Sequence, residues 1–309
     1  MITYNHEKFI TRAIESVLMQ ETDFDCELVI GEDCSTDRTR KIVMEYKKKY
    51  PDKIRLLLPE KNIGMISNFV QTLKACHGQY VALLEGDDYW TNPLKLQKQA
   101  DFLDANPDFA ICFHNAISMW ESGERPPKLL CPDDLKEVST LEDLIYANII
   151  PTLTVMFRNK LFDIFPSWYS NLKYGDWPLH ILNAQYGKIG YINETMAVYR
   201  IHQGGVASAA HTNINKYIEN MEGLIQLYEV INIHFKYKYK KIIKKRILEY
   251  YLCLAKIYRK IGRKRISLKY YLKWIIISPK LTKILYFIKG LTHYITKQLK
   301  HIFYRNKTK

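Results

Sequence analysis

Strand and helix patterns alternate along residues 1–115, and this alternation restricts the fold more than any other feature of the sequence. Short apolar runs predict strands, at Glu27–Gly31, Ile54–Leu58, Tyr80–Leu84 and Phe109–Phe113. Apolar residues at helical spacing lie between them, in residues 6–20, 42–50, 69–73 and 94–106. Because helices separate the successive strands, the chain is expected to form a mainly parallel sheet with helices on both faces. The sequence therefore predicts an α/β fold.

The pattern continues on both sides of this segment. Met1–Asn5 is typical of the last residues of a strand, and we expect the beginning of that strand to be missing. Glycine and proline residues within 121–134 predict a loop. The segments after the loop predict further elements: a strand at Thr152–Phe157, a helix after Asp176 and strands near Gly190–Arg200.

These elements divide the chain into two predicted regions. The α/β domain comprises residues 1–212, with one half at about 1–115 and the other at about 116–212. From about residue 213 to residue 309 the pattern is helical and increasingly basic. We therefore expect one large domain followed by a basic helical C-terminal region.

Positive charge is concentrated near the C-terminus. Residues 231–309 hold 23 of the 46 Lys and Arg residues but a single acid, Glu249. Such asymmetry is typical of a segment that meets an anionic surface. Three interpretations stay open: a bundle with a solvated basic face, a nucleic-acid surface, and helices lying on an anionic membrane through aromatics such as Trp274, Tyr286 and Phe287. No recognised nucleic-acid-binding module is present, so we expect no nucleic-acid partner.

The spacing of the cysteines and the length of the apolar runs indicate the cellular compartment. The six cysteines are scattered without a C-x-x-C pair, which indicates neither a disulfide framework nor a zinc site. In the basic region the longest apolar runs, Trp274–Ser278 and Ile284–Ile288, are far shorter than the roughly 18 residues of a membrane-spanning helix. We expect a cytoplasmic protein with reduced thiols, peripheral at the inner face of the membrane.

Acidic residues cluster directly after two of the predicted strands. Glu32 and Asp33 follow one strand, and Glu85, Asp87 and Asp88 follow another. In an open parallel sheet, ligands bind at the carboxyl ends of the strands. Carboxylates crowded there repel one another and any phosphate, unless a divalent cation lies between them. Mg²⁺ and Mn²⁺ prefer such oxygen ligands, so the pattern predicts a metal site for a diphosphate.

Each cluster also has a structural interpretation. The 85–88 segment could cap the helix that begins near Leu94, and Ser35 and Asp37 could cap the helix after the 32–33 pair. Three acids in four positions exceed what a cap needs, so the metal site is favoured for residues 85–88. For residues 32–33 both interpretations stay open.

Six short motifs occur in an order and at a spacing that resemble glycosyltransferase family 2. They are Thr3-Tyr-Asn5, Gly31-Glu-Asp-Cys-Ser-Thr-Asp37-Arg-Thr39, Asn62-Ile-Gly64, Leu84-Glu-Gly-Asp-Asp-Tyr-Trp90, Gly175-Asp-Trp-Pro-Leu179 and Tyr199-Arg-Ile-His202. The resemblance covers residues 1 to about 205. It implies the GT-A fold, a Rossmann-like architecture whose nucleotide-binding and acceptor-binding halves share one sheet. It also implies a nucleoside-diphosphate sugar donor, with a UDP-sugar favoured, and inversion at the anomeric carbon.

The resemblance further implies a nucleotide-sugar pocket. The positions that would line it are Tyr4, Asn5, Glu32, Asp33, Asn62, Gly64, Glu85 and Asp87. Among them, Asp33 would contact the base or the ribose. Glu85-Gly-Asp87 resembles the DxD motif of the family, with Glu in the first position. Asp87 or Asp88 would then hold Mn²⁺ or Mg²⁺, and the choice between the two stays open.

Two later motifs imply a general base and a further metal ligand. Asp176 resembles the carboxylate that takes the proton of the attacking hydroxyl. Its alternative role is a helix N-cap before Pro178. His202 resembles a late histidine that completes the metal site or contacts the diphosphate in some relatives, although a lone histidine is more often structural. Arg200 could pair with phosphate or simply end a strand.

Several motifs are absent from the sequence, and their absence argues against other classes of enzyme. The Q-x-x-R-W signature of processive relatives is missing, which predicts transfer of one sugar per encounter. The resemblance to the family implies a glycan or lipid-linked acceptor, in cell-surface assembly. A dehydrogenase would need G-x-G-x-x-G after a strand, and a sugar nucleotidyltransferase would need a Gly-rich phosphate loop near the N-terminus. The remaining alternative is a non-catalytic peripheral membrane or nucleic-acid-binding protein on a degenerate transferase fold. The intact acidic motifs favour the enzyme.

Overall fold

The computed structural model describes residues 1–205 and 213–277, and it confirms the predicted α/β fold. The first strands are β1 (Ile2–Thr3), β2 (Leu28–Glu32) and β3 (Ile54–Leu57), and the helices that follow them are α1 (Ile10–Leu18), α2 (Thr39–Lys49) and α3 (Met65–Lys74). The strands form a parallel sheet in the order β1-β2-β3. Every residue of β2 is buried, as expected for a strand with helices on both faces.

Aliphatic side chains from each layer form the core of this part. They are Ile10 and Ile14 of α1, Leu28 and Ile30 of β2, Val43 of α2 and Ile54 of β3. Their spacing follows the helical period in α1 and the two-residue period in β2, which confirms the predicted apolar faces. Each fully buried side chain of this kind contributes about 1.5–3 kcal/mol, so this core supports the strand ends that carry the motifs.

A second sheet carries the rest of the α/β domain. Its strands are β4 (Tyr80–Ala82), β5 (Tyr89–Trp90), β6 (Phe109–Trp120), β7 (Lys128–Leu129), β8 (Val138–Ser139), β9 (Met156–Arg158) and β10 (Lys188–Ile201). The strand path is β4-β9-β6-β10-β5, with β7 on β6 and β8 on β10. The long central pair, β6 and β10, is parallel, and the short strands pair antiparallel. A parallel bridge between Ile2 and Glu85 joins the end of β1 to the segment after β4.

The remaining helices of this part are α4 (Lys95–Ala105), α5 (Leu141–Tyr146) and α6 (Asp176–Asn183). The strand predicted at Thr152–Phe157 is wrong in its first half, where residues 152–154 form a 3-10 turn. The carbonyl of Pro151 accepts hydrogen bonds from the Thr154 N–H at 3.0 Å and from the Thr154 hydroxyl at 2.7 Å, so these groups are not available to a strand ladder. The strands predicted near Gly190–Arg200 form one long strand, β10, with shifts in its register.

The chain divides by its internal contacts into two compact units, Met1–Gly223 and Leu224–Lys309. The helices after residue 212 are α7 (Ile214–His234), α8 (Lys240–Lys260) and α9 (Lys264–Ile277). The contact division falls within α7, and the domain boundary expected near residue 212 stays a prediction.

Helices α8 and α9 pack against each other within the second unit. The Ser267 hydroxyl donates to the Ala255 carbonyl at 2.7 Å, and the rings of Tyr258 and Tyr270 stack with centroids 5.6 Å apart. No helix of residues 1–205 or 213–277 is long and apolar enough to cross a membrane. The predicted run Ile284–Ile288, with Tyr286 and Phe287, lies outside the described residues.

The close approach of β2 to α3 leaves no room for a side chain at Gly31. A Cβ there would lie 2.0 Å from Thr72 Oγ1 and 2.4 Å from Asn68 Oδ1. We expect Gly31→Ala to lower the free energy of unfolding by about 1–3 kcal/mol, the usual effect of overpacking, in urea denaturation followed by circular dichroism. The control is Gly204→Ala, whose Cβ would meet only the His202 ring at 3.4 Å, and it should stay within about 0.5 kcal/mol of wild type. Equal stability of the two variants would contradict this account.

Candidate active site

The acidic residues after β4 lie in a tight turn against the end of β1. The N–H of Gly86 donates to the Ile2 carbonyl at 3.0 Å. A side chain on Gly86 has no room, because its Cβ would lie 2.5 Å from Thr3 Oγ1. The turn brings three carboxylates together, each with an oxygen within 4.8 Å of the others. They belong to Glu85, Asp87 and Asp88.

Asp88 is buried and only partly paired. Its Oδ1 accepts a hydrogen bond from the Arg200 N–H at 2.8 Å, whereas its Oδ2 has no hydrogen-bond partner among the described residues. The Arg200 guanidinium donates to the Asp87 carbonyl at 3.1 Å and lies 3.1 Å from a Glu121 carboxylate oxygen. Arg200 therefore fixes the turn from the end of β10, and these contacts favour the strand-end interpretation over a phosphate ligand.

Two histidines face the Asp87 carboxylate. Asp87 Oδ2 lies 3.1 Å from His202 Nε2 and 3.7 Å from His6 Nε2. The His202 ring packs against Phe9, with centroids 4.4 Å apart. His202, which the sequence indicated, follows β10, whereas His6 follows β1. Residues nearly two hundred positions apart in the chain thus meet at one carboxylate.

Burial and mutual repulsion change the acidity of the cluster. Burial, together with the negative charges of Asp87 and Asp176, raises the pKa of Glu85 to about 8. Burial, together with the negative charges of Asp87 and Glu85, raises the pKa of Asp88 well above its usual value. Burial also acts to raise the pKa of Asp87, but the hydrogen bond from His202 and the nearby imidazoles outweigh it, and that pKa is lowered. A bound cation would allow all three carboxyls to ionise.

The donor groups fit a divalent cation. Oxygens of Glu85, Asp87 and Asp88 are close enough to share one ion, and the imidazole of His202 adjoins them. The unpaired, buried Oδ2 of Asp88 is a lone acceptor that an ion would satisfy. Because both aspartates belong to the same group, both can contribute ligands.

A second network surrounds Asp33 at the end of β2. Its Oδ1 accepts the Ile63 N–H at 2.8 Å, and its Oδ2 accepts the Gly64 N–H at 3.0 Å. The Asn62 side chain donates to the Asp33 carbonyl at 2.9 Å. Gly64 has φ of +84°, a conformation that favours glycine, immediately before α3. Asp33, Asn62 and Gly64 are therefore brought together, with the Asp33 carboxylate holding the loop.

Asn5 ties the end of β1 to the turn after β2. Its N–H donates to Ser35 Oγ at 2.9 Å, and its side-chain oxygen accepts the Thr36 N–H at 2.8 Å. Tyr4 beside it is 43% exposed, so its ring is open to a ligand. Asp37 Oδ1 accepts the Thr39 N–H at 2.8 Å just before α2, but the N-cap position is Arg38 and no side chain caps this helix, so the cap expected from Ser35 or Asp37 is wrong.

Glu32 is buried and paired on both oxygens. Its Oε1 accepts the Ser35 N–H at 2.6 Å, and its Oε2 forms an ion pair with Arg40. Arg40 also donates to the Pro59 carbonyl at 2.8 Å. These contacts give Glu32 a structural role between β2 and α2, and its role in nucleotide binding stays a prediction.

Asp176 is the first residue of α6 rather than its N-cap. The N-cap position is Gly175, and no side chain caps this helix. Asp176 Oδ2 accepts a hydrogen bond from the Thr152 hydroxyl at 2.7 Å. Thr152 lines the same small cavity as Glu85, so Asp176 and the acidic turn lie at the same edge of the domain.

Two residues of this site, His6 and Thr152, carry no signal of their own in the sequence, and Thr3 belongs to the first motif but was assigned no role. His6 could have been found from its position directly after Asn5, at the carboxyl end of a strand, where ligands bind. Thr152 could not, because its segment has the apolar pattern of a strand. Only the 3-10 turn at Thr152–Thr154 brings its hydroxyl to Asp176.

Fold and site together define an α/β protein with a candidate metal site at the carboxyl ends of its strands. Comparison with known families agrees with this class, since the model of Glycosyl transferase family 2 matches residues 1–165. The chain belongs to glycosyltransferase family 2. The motif resemblance found in the sequence is thereby confirmed at the level of the family.

Relatives and solved structures extend the comparison. An uncharacterized protein of Mycobacterium tuberculosis is 40% identical over 222 residues, which are 71% of this chain and 62% of that relative, so the chain spans less than two thirds of it. Staphylococcus aureus TarS, solved with UDP-GlcNAc, has a TM-score of 0.53 at 22% identity, over 83% of this chain and 79% of that one. The mannosyltransferase PcManGT of Pyrobaculum calidifontis, solved with GDP-Man and Mn²⁺, has a TM-score of 0.58 at 15% identity, over 95% and 79%. These likenesses confirm the GT-A fold.

Glu85 should make the stability of the metal-free protein depend on pH. Its pKa is about 8 in the folded protein against the usual 4.5, so between these values only the unfolded chain releases the proton. Stability should therefore fall as pH rises from about 4.5 to about 8 and level off above that range. At about 1.4 kcal/mol per pKa unit, this difference corresponds to a fall on the order of 5 kcal/mol, measured by urea denaturation with EDTA.

Two variants test this assignment. Glu85→Gln should make the fall in stability with rising pH less steep, because the amide does not titrate. Glu60→Gln, at an exposed position, should keep the wild-type slope. If Glu85→Gln also keeps that slope, another group is responsible.

Proposed function

We propose that this chain transfers one sugar from a nucleoside-diphosphate sugar to an acceptor hydroxyl, with inversion at the anomeric carbon and the aid of a divalent cation. The observation that carries the proposal is the carboxylate group of Glu85, Asp87 and Asp88, which lies within electrostatic reach of Asp176. The three clustered carboxylates can bind a cation, whereas the separate carboxylate of Asp176 can accept a proton. Membership of glycosyltransferase family 2 supports sugar transfer.

The donor is proposed to be a UDP-sugar. Support comes from TarS, solved with UDP-GlcNAc, and from PcManGT, solved with GDP-Man and Mn²⁺. The proposed pocket residues are Tyr4, Asn5, Glu32, Asp33, Asn62, Gly64, Glu85 and Asp87. In this proposal the exposed Tyr4 ring offers a face to the base, and Asp33 acts by fixing the backbone of residues 62–64 beside the nucleotide.

Asp176 is the proposed general base. In a single displacement the acceptor oxygen bonds to the anomeric carbon while the bond to the diphosphate breaks on the opposite side. The proton of the hydroxyl passes to Asp176. Thr152 orients this carboxylate through Oδ2, so Oδ1 is the oxygen that would receive the proton. A divalent cation, when bound at Asp87, Asp88 and His202, supplies positive charge against the leaving diphosphate.

The acceptor is proposed to be a glycan or a lipid-linked glycan at the inner face of the membrane. The C-terminal region supports this location, because residues 231–309 hold 23 Lys and Arg residues and one acid. Its described part has an apolar groove with a basic rim. The groove is lined by Asn232, Lys240, Lys241, Ile243, Lys244, Ile247 and Ile277. Such a surface suits anionic headgroups, and one family relative, TarS, is named a poly(ribitol-phosphate) β-N-acetylglucosaminyltransferase.

A panel of UDP- and GDP-sugars tests the function directly. We expect release of the nucleoside diphosphate from one donor in the presence of Mn²⁺ or Mg²⁺ and none in EDTA. Asp87→Ala should lose this release while the fold survives, because the substitution removes a carboxylate of the proposed ion site. Turnover that is unchanged in EDTA would remove the metal from the proposal, and no turnover with any donor would favour a non-catalytic protein.

Asp176→Asn tests the proposed general base without removing a group that binds the donor. The amide keeps the size of the side chain but cannot take a proton, so we expect near-normal donor binding and a turnover loss of roughly 10²-fold or more. Asp25→Asn is the control, because Asp25 is exposed and precedes β2, at the opposite end of the strands. Turnover of Asp176→Asn within a few fold of Asp25→Asn would show that another group is the base.

Exposed lysines of α8 should drive binding to anionic vesicles. Lys240, Lys241, Lys244 and Lys245 are exposed, and each base near an anionic surface contributes about 1 kcal/mol. We expect the protein to sediment with phosphatidylglycerol vesicles at low salt and to be released as salt rises. Replacing these four lysines with Gln should weaken sedimentation by about tenfold or more.

The control removes the same charge elsewhere. Lys48, Lys49, Lys53 and Lys61 are exposed in the first unit, and their replacement with Gln should leave vesicle binding nearly unchanged. Equal losses in the two variants would show only a net-charge effect. Tighter retention on an oligonucleotide than on vesicles at matched salt would instead indicate a nucleic-acid surface.

A further inference from the structure

Two imidazoles approach one oxygen of Asp87. His202 Nε2 lies 3.1 Å from Asp87 Oδ2, and His6 Nε2 lies 3.7 Å from the same atom. The two rings are nearly perpendicular, at 87°, with centroids 6.3 Å apart. Both are shielded from solvent, with 10% of the His202 side chain and 18% of the His6 side chain exposed. Nitrogens from two different segments therefore approach one carboxylate oxygen of a third.

Each of the two nitrogen–oxygen distances matches the separation of two ligands on one ion. Donor atoms that lie about 2.1 Å from a metal and at right angles to each other are separated by about 3.0 Å, and wider angles give longer separations. Distances of 3.1 Å and 3.7 Å fall in this range. The longer one exceeds the length of an ordinary hydrogen bond, so a direct bond to Asp87 does not account for the position of His6.

Other contacts fix the His6 ring in this orientation. Its Nδ1 lies 3.2 Å from Thr3 Oγ1, which leaves Nε2 directed at Asp87. Metal-bound histidines commonly use their second nitrogen in this way. A Cβ on Gly86 would lie 2.9 Å from His6 Nδ1, so the ring occupies space that only glycine leaves open. The acidic turn is thus shaped around His6.

The same turn also positions the second histidine. The His6 carbonyl accepts the N–H groups of Phe9 and Ile10, each at 2.9 Å, and this starts α1. The Phe9 ring then packs on His202. Beside the pair, Asp88 Oδ2 is buried without a hydrogen-bond partner among the described residues, which is an independent sign of a missing positive ligand.

We propose that His6 is a direct ligand of the divalent cation and that His6 and His202 together make the site select Mn²⁺ over Mg²⁺. The inference rests on the metal site of the proposed function. Mg²⁺ takes oxygen ligands and keeps much of its water, whereas imidazole nitrogen is a good ligand for transition-metal ions. Two imidazoles therefore strengthen Mn²⁺ binding far more than Mg²⁺ binding.

Pulsed electron paramagnetic resonance on the Mn²⁺-loaded protein counts the imidazoles bound to the ion. The probe is Mn²⁺ alone and Mn²⁺ with UDP, on the full-length chain. We expect ¹⁴N couplings from two imidazoles in wild type and from one in His6→Asn and in His202→Asn. His77→Asn is the control, because its ring interacts with Arg55 away from the acidic turn, and it should keep both couplings. The wild-type count alone decides the question if a variant fails to fold.

Affinity gives the second readout. We expect His6→Asn to weaken Mn²⁺ binding by about tenfold or more and Mg²⁺ binding by less than threefold, measured by competition titration. A single imidazole in wild type, or equal losses for both ions in His6→Asn, would overturn the inference.

The outcomes also separate this inference from the function on which it rests. Metal-dependent sugar transfer by a protein with one bound imidazole would leave the function standing and remove His6 from the site. Two bound imidazoles in a protein that transfers no sugar would keep His6 in the metal site and overturn the proposed function. Absence of bound Mn²⁺ under both conditions would overturn the metal in both proposals.

Discussion

The contact between the end of β1 and the glycine turn after β4 is the constraint on which the rest of the site depends. Thr3 and Gly86 approach so closely that no side chain fits between them, and the Ile2–Glu85 bridge closes the gap between the two sheets. Three consequences follow from this one approach. The acidic side chains are turned to one side, the ring of His6 is brought to the same place, and the strand ends of the two sheets form one edge. A Cβ at residue 86 would disturb all three.

The carboxylates at that edge destabilise the metal-free fold, and the proposed cation site uses the same carboxylates. Three carboxyls within a few ångströms, partly shielded from water, repel one another, and the raised pKa values of Glu85 and Asp88 express that repulsion. The structure offsets part of it with neutral or positive neighbours, through Arg200 on the backbone of the turn and His202 on Asp87. A cation bound there would relieve the remaining repulsion, so ion binding would stabilise this part of the fold.

The polar residues around this edge form two groups: some bind the backbone, and others keep a surface or an oxygen available for a ligand. Both carboxylate oxygens of Glu32 and of Asp33 bind partners within the protein. These two residues therefore stabilise the loops that flank the proposed nucleotide pocket. Tyr4, Asp176 and the acidic turn keep a face or an oxygen free of such partners. Burial and hydrogen-bond geometry separate the two groups, although both consist of the same residue types near the same strand ends.

The sequence by itself determined the α/β class, the family and the places of the acidic motifs, because periodicity and motif order are local properties of the chain. It could not assign Glu32 to a buried ion pair, since acids that bind a ligand and acids that pair with Arg40 look alike in a linear pattern. It also missed the 3-10 turn at Thr152, where buried apolar residues imitate a strand. Only the tertiary structure decided that His6 and His202 share Asp87, because a meeting of residues so far apart in the chain depends on strand order and on the space left by a missing Cβ.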